Sequence, residues 1–191
     1  SNDRLEHDLD VCMRHRVPII ITSLRAPDDV VRKVHEYGGM VFHDVISIRH
    51  ARKALEAGVD GLVLVCAGAG GHAGTISPFA LVREVRQFFD GPIALSGAIT
   101  DGAGILAAEA VGADFAYIGT RFIATPEASV HERYKQAVLK ADVADSTLVG
   151  RGGHPLRLLK NSYSKKYEAA ERAGAPERDL EGIYNSSTLK Q

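Results

Sequence analysis

Apolar residues concentrate in five short runs, at 17–22, 39–45, 61–65, 92–95 and 115–118, each rich in Val, Ile, Leu or Phe. None alternates cleanly between apolar and polar positions, as is expected of strands covered on both faces. Between the runs the periodicity turns helical. Pro27-Asp28-Asp29 opens a helix over 30–37 that Gly38-Gly39 stops, and Ser47 opens another over 48–56 that ends near Gly58. Ser77-Pro78 supplies an N-cap and a first-turn proline for 79–89. Gly112 closes a short helix over 103–111, and Thr125-Pro126-Glu127 starts one that runs to about Lys140. The chain itself opens on a helical pattern carrying Leu5, Leu9, Cys12 and Met13.

Strand and helix in strict alternation, with short connections, predict parallel βαβ units. Units of about twenty to thirty residues fit a (β/α) barrel, in which functional residues sit on the loops after strand C-termini. A full eight-unit barrel takes on the order of 250 residues, whereas this chain has 191 residues and five such strands. The expected fold is therefore α/β: the C-terminal part of a (β/α)8 TIM barrel with a helical C-terminal tail. Removal of the other strands, their disorder, or their supply by another chain are explanations left open. The strand rhythm stops after Ala141. A loop at 150–155, a helix over 156–173 ended by Gly174, and a polar end at Asn185-Ser186-Ser187 are expected there. The predicted division is a partial barrel over 1–140 and a loop and helical extension over 141–191. Arg151, Arg157, Lys160, Lys165 and Lys166 read as one solvated helix face.

Composition narrows the function. A formal net charge of -1 argues against nucleic acid or an anionic membrane as the main partner. No signal peptide and no membrane-spanning apolar run is recognisable. Two cysteines, Cys12 and Cys66, lack a disulfide framework, which suits a reducing, cytoplasmic setting. Zinc-type spacings, a Walker loop and a nucleophile elbow are all lacking, so no metal is expected.

The chemistry concentrates in three glycine segments that follow strands. Gly68-Ala69-Gly70-Gly71-His72-Ala73-Gly74 places one imidazole in a loop of nearly bare backbone. Such a loop lets N–H groups approach a flat or phosphorylated ligand, and a histidine there can carry a proton near neutral pH. Gly68, Gly70 and Ala73 also match a dinucleotide fingerprint, but Ser77-Pro78 delays the helix that the fingerprint needs, so a Rossmann site is rejected. Gly97-Ala98-Ile99-Thr100-Asp101-Gly102 and Gly119-Thr120 follow the next two strands, an arrangement suited to phosphate. His43-Asp44 has the chemistry of a second acid/base pair, although a packing or hydrogen-bonding role is the favoured reading. Small apolar packing is the default for Cys66.

Ala69–Gly74, Ser96–Gly102, Leu106–Asp114 and Ile118–Thr125 together resemble the nitronate monooxygenases, formerly called 2-nitropropane dioxygenases. The order and spacing agree over most of the chain. This resemblance implies an FMN-dependent TIM barrel that oxidises nitronates or nitroalkanes with O2. His72 matches the family's catalytic base. Ala69, Gly70 and Gly71 match backbone near the flavin, while Gly97, Ala98, Gly119 and Thr120 match the phosphate site. A small-molecule nitronate or nitroalkane is the implied partner, with a homo-oligomer or an N-terminal barrel segment as further candidates. Gly68 stands where a glutamate is common, and Ala98 where the turn usually has its second glycine. The family's N-terminal strands have no counterpart in this sequence. Two alternatives follow: a flavin-dependent enoyl-acyl-carrier-protein reductase, which shares these loops, or a catalytically incomplete barrel fragment.

Overall fold

A computed structural model describes residues 4–150, 155–176 and 178–180. The first six strands are β1 (Ile19–Thr22), β2 (Met40–Val45), β3 (Gly61–Val65), β4 (Gly71–His72), β5 (Ile93–Ser96) and β6 (Phe115–Ala116). All but β4 form one parallel sheet in the order β1-β2-β3-β5-β6. The register pairs Thr22 with His43, His43 with Leu62, Leu64 with Leu95, and Leu95 with Ala116. Helices α1 (Leu5–Arg14), α2 (Asp28–His35), α3 (Ile48–Glu56), α4 (Pro78–Val85) and α5 (Gly102–Val111) alternate with these strands. This is the α/β, partial-barrel architecture that the sequence pattern predicts.

The core follows from the alternation of side chains along each strand. Val41, Val45, Leu62, Leu64, Ile93 and Leu95 point to one face, where they join Val31 and Val34 of α2, Ala51 and Ala54 of α3, Leu81, Val82 and Val85 of α4, and Ala108 and Val111 of α5. Each of the larger side chains contributes about 1.5–3 kcal/mol by leaving water. Central β3 is buried along its whole length, as expected of a strand covered on both faces. Ile19 and Ile21 of β1, Met40 of β2 and Phe115 of β6 remain exposed, and the register puts all four on the face opposite the helices.

A repeated device fixes where two strands begin. Gly58-Val59-Asp60 and Gly112-Ala113-Asp114 each start with a glycine in the left-handed region, follow with a buried apolar residue, and end on an aspartate. Asp60 accepts the Val41 N–H at 2.7 Å, and Asp114 accepts the Ile93 N–H at 2.8 Å. Each carboxylate thus satisfies a backbone donor of the neighbouring strand. Arg86 completes the second copy. Its Nε donates to the Gly112 carbonyl at 2.8 Å, its Nη1 to that of Gly91 at 2.6 Å, and its Nη2 to Asp114 at 2.6 Å. Burial alone would raise the Asp114 pKa, but the Ile93 N–H and the Arg86 guanidinium outweigh it and hold the carboxyl below its usual value.

Residues 68–73 and 118 onward form a second compact unit, separate from the one built by the parallel sheet and its helices. It contains α6 (Thr120–Ile123), α7 (Glu132–Lys140), a 3-10 turn at Val143–Asp145, β7 (Ser146–Val149), β8 (Leu156–Leu159) and α8 (Ser162–Arg172). β4, β8 and β7 pair as an antiparallel sheet in that order. Val149 and Leu156 pack with Tyr163 and Tyr167 of α8 in a small core.

This unit corrects two expectations. The helix expected from Thr125 begins only at Glu132, with the His131 imidazole accepting the Arg133 N–H as its cap. The helix expected over 156–173 is a strand followed by a helix. Leu-Arg-Leu-Leu carries an apolar pattern compatible with either period, and pairing with β7 and β4 decides for the strand. Asn161 then starts α8 by accepting the Ser164 N–H at 2.8 Å, and Gly174 follows its end in the left-handed region. The tail at 185–187 and Arg151 lie outside the described residues.

Arg86→Met keeps much of the aliphatic stem but strands the Gly91 and Gly112 carbonyls. The expected cost is about 2–4 kcal/mol, read as a lower urea midpoint with an unchanged m-value.

Candidate functional site

In a parallel sheet, adjacent strands end on the same edge. β3, β5 and β6 are consecutive in the sheet, and each is followed by one of the three glycine segments. Cys66 directly follows β3; it is fully buried in the helix-side core, and burial pushes its thiol up to about 12. The Ala67 N–H donates to the Ile76 carbonyl at 2.8 Å, closing the neck of the first loop. Gly74 lies so close to the Val65 carbonyl that a Cβ there would overlap it.

Gly97 and Ala98 also belong to the sheet unit. Gly97 has φ 137° and Ala98 φ 55°, so the alanine occupies the left-handed region that favours glycine. At the start of α5, the Asp101 carboxylate already accepts the Gly104 N–H at 2.9 Å.

The remaining sequence-predicted residues fall in the second unit. β4 pairs with β8 so that Gly71 faces Arg157 and His72 faces Leu156, and the Ala73 N–H donates to the Pro155 carbonyl at 2.9 Å. Ala69 is buried, while Gly70, Gly71 and His72 are exposed. Gly70 and Thr120 come together: a Cβ on Gly70 would stand 2.6 Å from the Thr120 hydroxyl oxygen. Gly71, at φ 70°, and Gly119, which precedes α6, both have open space where a Cβ would project. The result is a strip of accessible backbone with one imidazole on it. His154 lies outside the described residues.

His43 and Asp44 point to opposite faces of the sheet and cannot act as a pair. His43 is buried on the helix side, with Nδ1 at 2.7 Å from the Thr22 hydroxyl. This favours the hydrogen-bonding role. The sequence does not single out Thr22, and aligning the ends of the first two apolar runs would set it opposite Val45, two residues from its actual partner His43. Arg157, expected on a solvated helix face, lies instead on β8 between two leucines.

Among the described residues, no cluster of His, Cys, Asp or Glu could hold a metal ion, and no helix is long and apolar enough to cross a membrane.

A parallel βα sheet with its glycine loops on the C-terminal edge defines a (β/α)-barrel protein of the kind that carries ligands on those loops. More narrowly, the chain belongs to the nitronate monooxygenase family, whose sequence profile matches residues 2–183. It is 33% identical over 146 residues to a nitronate monooxygenase of Paraburkholderia phytofirmans, covering 71% of this chain and 40% of that protein. It is 28% identical to a 5-hydroxy-7a-methyl-1-oxo-octahydro-indene-4-carboxyl-CoA dehydrogenase of Rhodococcus jostii, covering 85% of this chain and 46% of that one. Among solved structures it is similar to FabK from Thermotoga maritima, with a TM-score of 0.82 and 32% identity over 95% of this chain and 58% of that one. The chain thus spans about half the length of the curated relatives it matches.

Two outcomes follow from this geometry. Ala98→Gly relieves the left-handed alanine and should raise stability by roughly 0.5–1 kcal/mol, measured by urea denaturation. Burial first, and then the charge of His50, lower the His43 pKa from 6.5. The unfolded chain then binds more protons than the folded one below that value. Stability should fall as pH drops through this range, and the loss should end once folded His43 itself protonates. His43→Gln should show a smaller fall in melting temperature than the parent between about pH 7.5 and pH 5.5.

Proposed function

We propose that this chain carries the catalytic loops of an FMN-dependent enzyme that oxidises nitronates and nitroalkanes with O2, and that His72 is its general base. The observation that carries this reading is the exposed imidazole of His72 on a strip of side-chain-free backbone after a central parallel strand. Family membership supports the same chemistry.

The residues fit a flat, phosphorylated cofactor. A ring can lie against Gly71, which has open space where a Cβ would project; at Gly70 the Thr120 hydroxyl already takes that space, so a ring there would meet backbone and this hydroxyl, and Ala69 adds only a buried methyl. The family resemblance points to backbone donors at Gly97, Ala98, Gly119 and Thr120 as the groups that would hold the phosphate. FMN, when bound, would supply the redox chemistry between the nitronate and O2. The chain's own task is proton transfer. Neutral His72 accepts the proton from the carbon bearing the nitro group, which leaves the nitronate anion. Its exposure lets the imidazolium return that proton to solvent.

The similarity to a protein named for a carboxyl-CoA substrate, also a thioester, favours a second reading, the flavin-dependent enoyl-acyl-carrier-protein reductase. Anaerobic titration separates the two, since a nitronate should bleach the flavin absorbance in the first case and NAD(P)H in the second. A colourless protein after incubation with FMN would favour a catalytically incomplete barrel fragment.

The central test is His72→Asn in the flavin-loaded protein. Turnover of a neutral nitroalkane should fall by about a hundredfold or more, while turnover of preformed nitronate stays within about twofold. Equal loss on both substrates would remove His72 from proton transfer.

A further inference from the structure

We infer that Arg157 binds an oxyanion of the ligand beside the Gly71–His72 strand. The inference rests on the reading of that strand as part of the substrate site. Side chains alternate along β8. Leu156 and Leu158 pack toward Tyr163 and Tyr167 of α8, which puts Arg157 on the other face. There its ladder partners are Leu148 and Gly71. Gly71 has no side chain and open space at its Cβ position.

The guanidinium of Arg157 is under-used. Its Nη1 donates to the Ser146 hydroxyl at 3.2 Å, while its Nε is buried and meets no acceptor. No carboxylate among the described residues lies within ion-pair distance of it. Arg86 shows what a structural arginine looks like in this same chain: Nε and both terminal nitrogens are taken up by carbonyls and Asp114. A solvated surface arginine would keep its Nε in water. Arg157 does neither, and a permanently charged group with a buried, unpaired donor calls for an anion. A planar group with two oxygens matches the guanidinium fork best. A nitronate has that shape and carries its negative charge on those oxygens; the cofactor phosphate is the other source of the same chemistry.

The test compares the flavin-loaded parent with Arg157→Met and Arg157→Lys. If the oxyanion is the substrate's, Arg157→Met raises KM for a preformed nitronate by about tenfold or more, with FMN affinity unchanged and Arg157→Lys recovering part of the loss. If it is the phosphate, Arg157→Met weakens FMN but leaves riboflavin binding alone. Either result supports the site. Unchanged nitronate KM and unchanged affinity for both flavins, with only a lower melting temperature, would overturn it. The flavin reading can fail separately. If the parent binds no flavin, calorimetric titration with nitrate still reads the anion site, and binding that Arg157→Met abolishes would support it. Absence of nitrate binding in the parent would then remove both proposals.

Discussion

The parallel pairing of β3 with β5, and of β5 with β6, is the constraint on which the rest of the molecule depends. Parallel strands must end on a common edge, so loops that are far apart in sequence start from adjacent positions. Antiparallel hairpins over the same residues would have sent alternate loops to opposite edges. The identity of the residues just beyond Val65, Ser96 and Ala116 matters only because the backbone has already fixed where those loops begin.

The two edges of the sheet serve different ends. Asp60 and Asp114 lie just before strands and spend their carboxylates on neighbouring backbone N–H groups. Glycines just after the strands are left with little but backbone. Carboxylates that secure the fold at the start of the strands leave the other edge free to carry strain. Ala98, held in the left-handed region, is an example. Such separation is what a barrel offers an enzyme, since stability and chemistry can vary independently.

Much of the sheet unit was legible in the sequence. Its strands are continuous apolar runs, and its helices carry their own start and stop residues, among them Ser47, Ser77-Pro78 and Gly112. The second unit was harder to read because its strands owe their existence to partners. Gly71-His72 has no pattern of its own and becomes a strand because β8 lies alongside. Leu-Arg-Leu-Leu at 156–159 reads equally well as the first turn of the helix that follows. Only pairing shows Arg157 to be a strand residue facing Gly71. The glycine and histidine positions were visible because their composition is extreme. Arg157 offers no such cue, because the missing acceptor at its Nε is visible only in the structure.

Cys66 has a consequence outside catalysis. A thiol wholly enclosed at the end of β3 and held in its protonated form cannot react with alkylating agents while the sheet is intact. Modification has to wait for that strand to open, so the labelling rate at Cys66, unlike that at the partly exposed Cys12, counts opening events of the sheet centre. The molecule thereby contains its own reporter for the stretch of backbone from which the histidine loop departs.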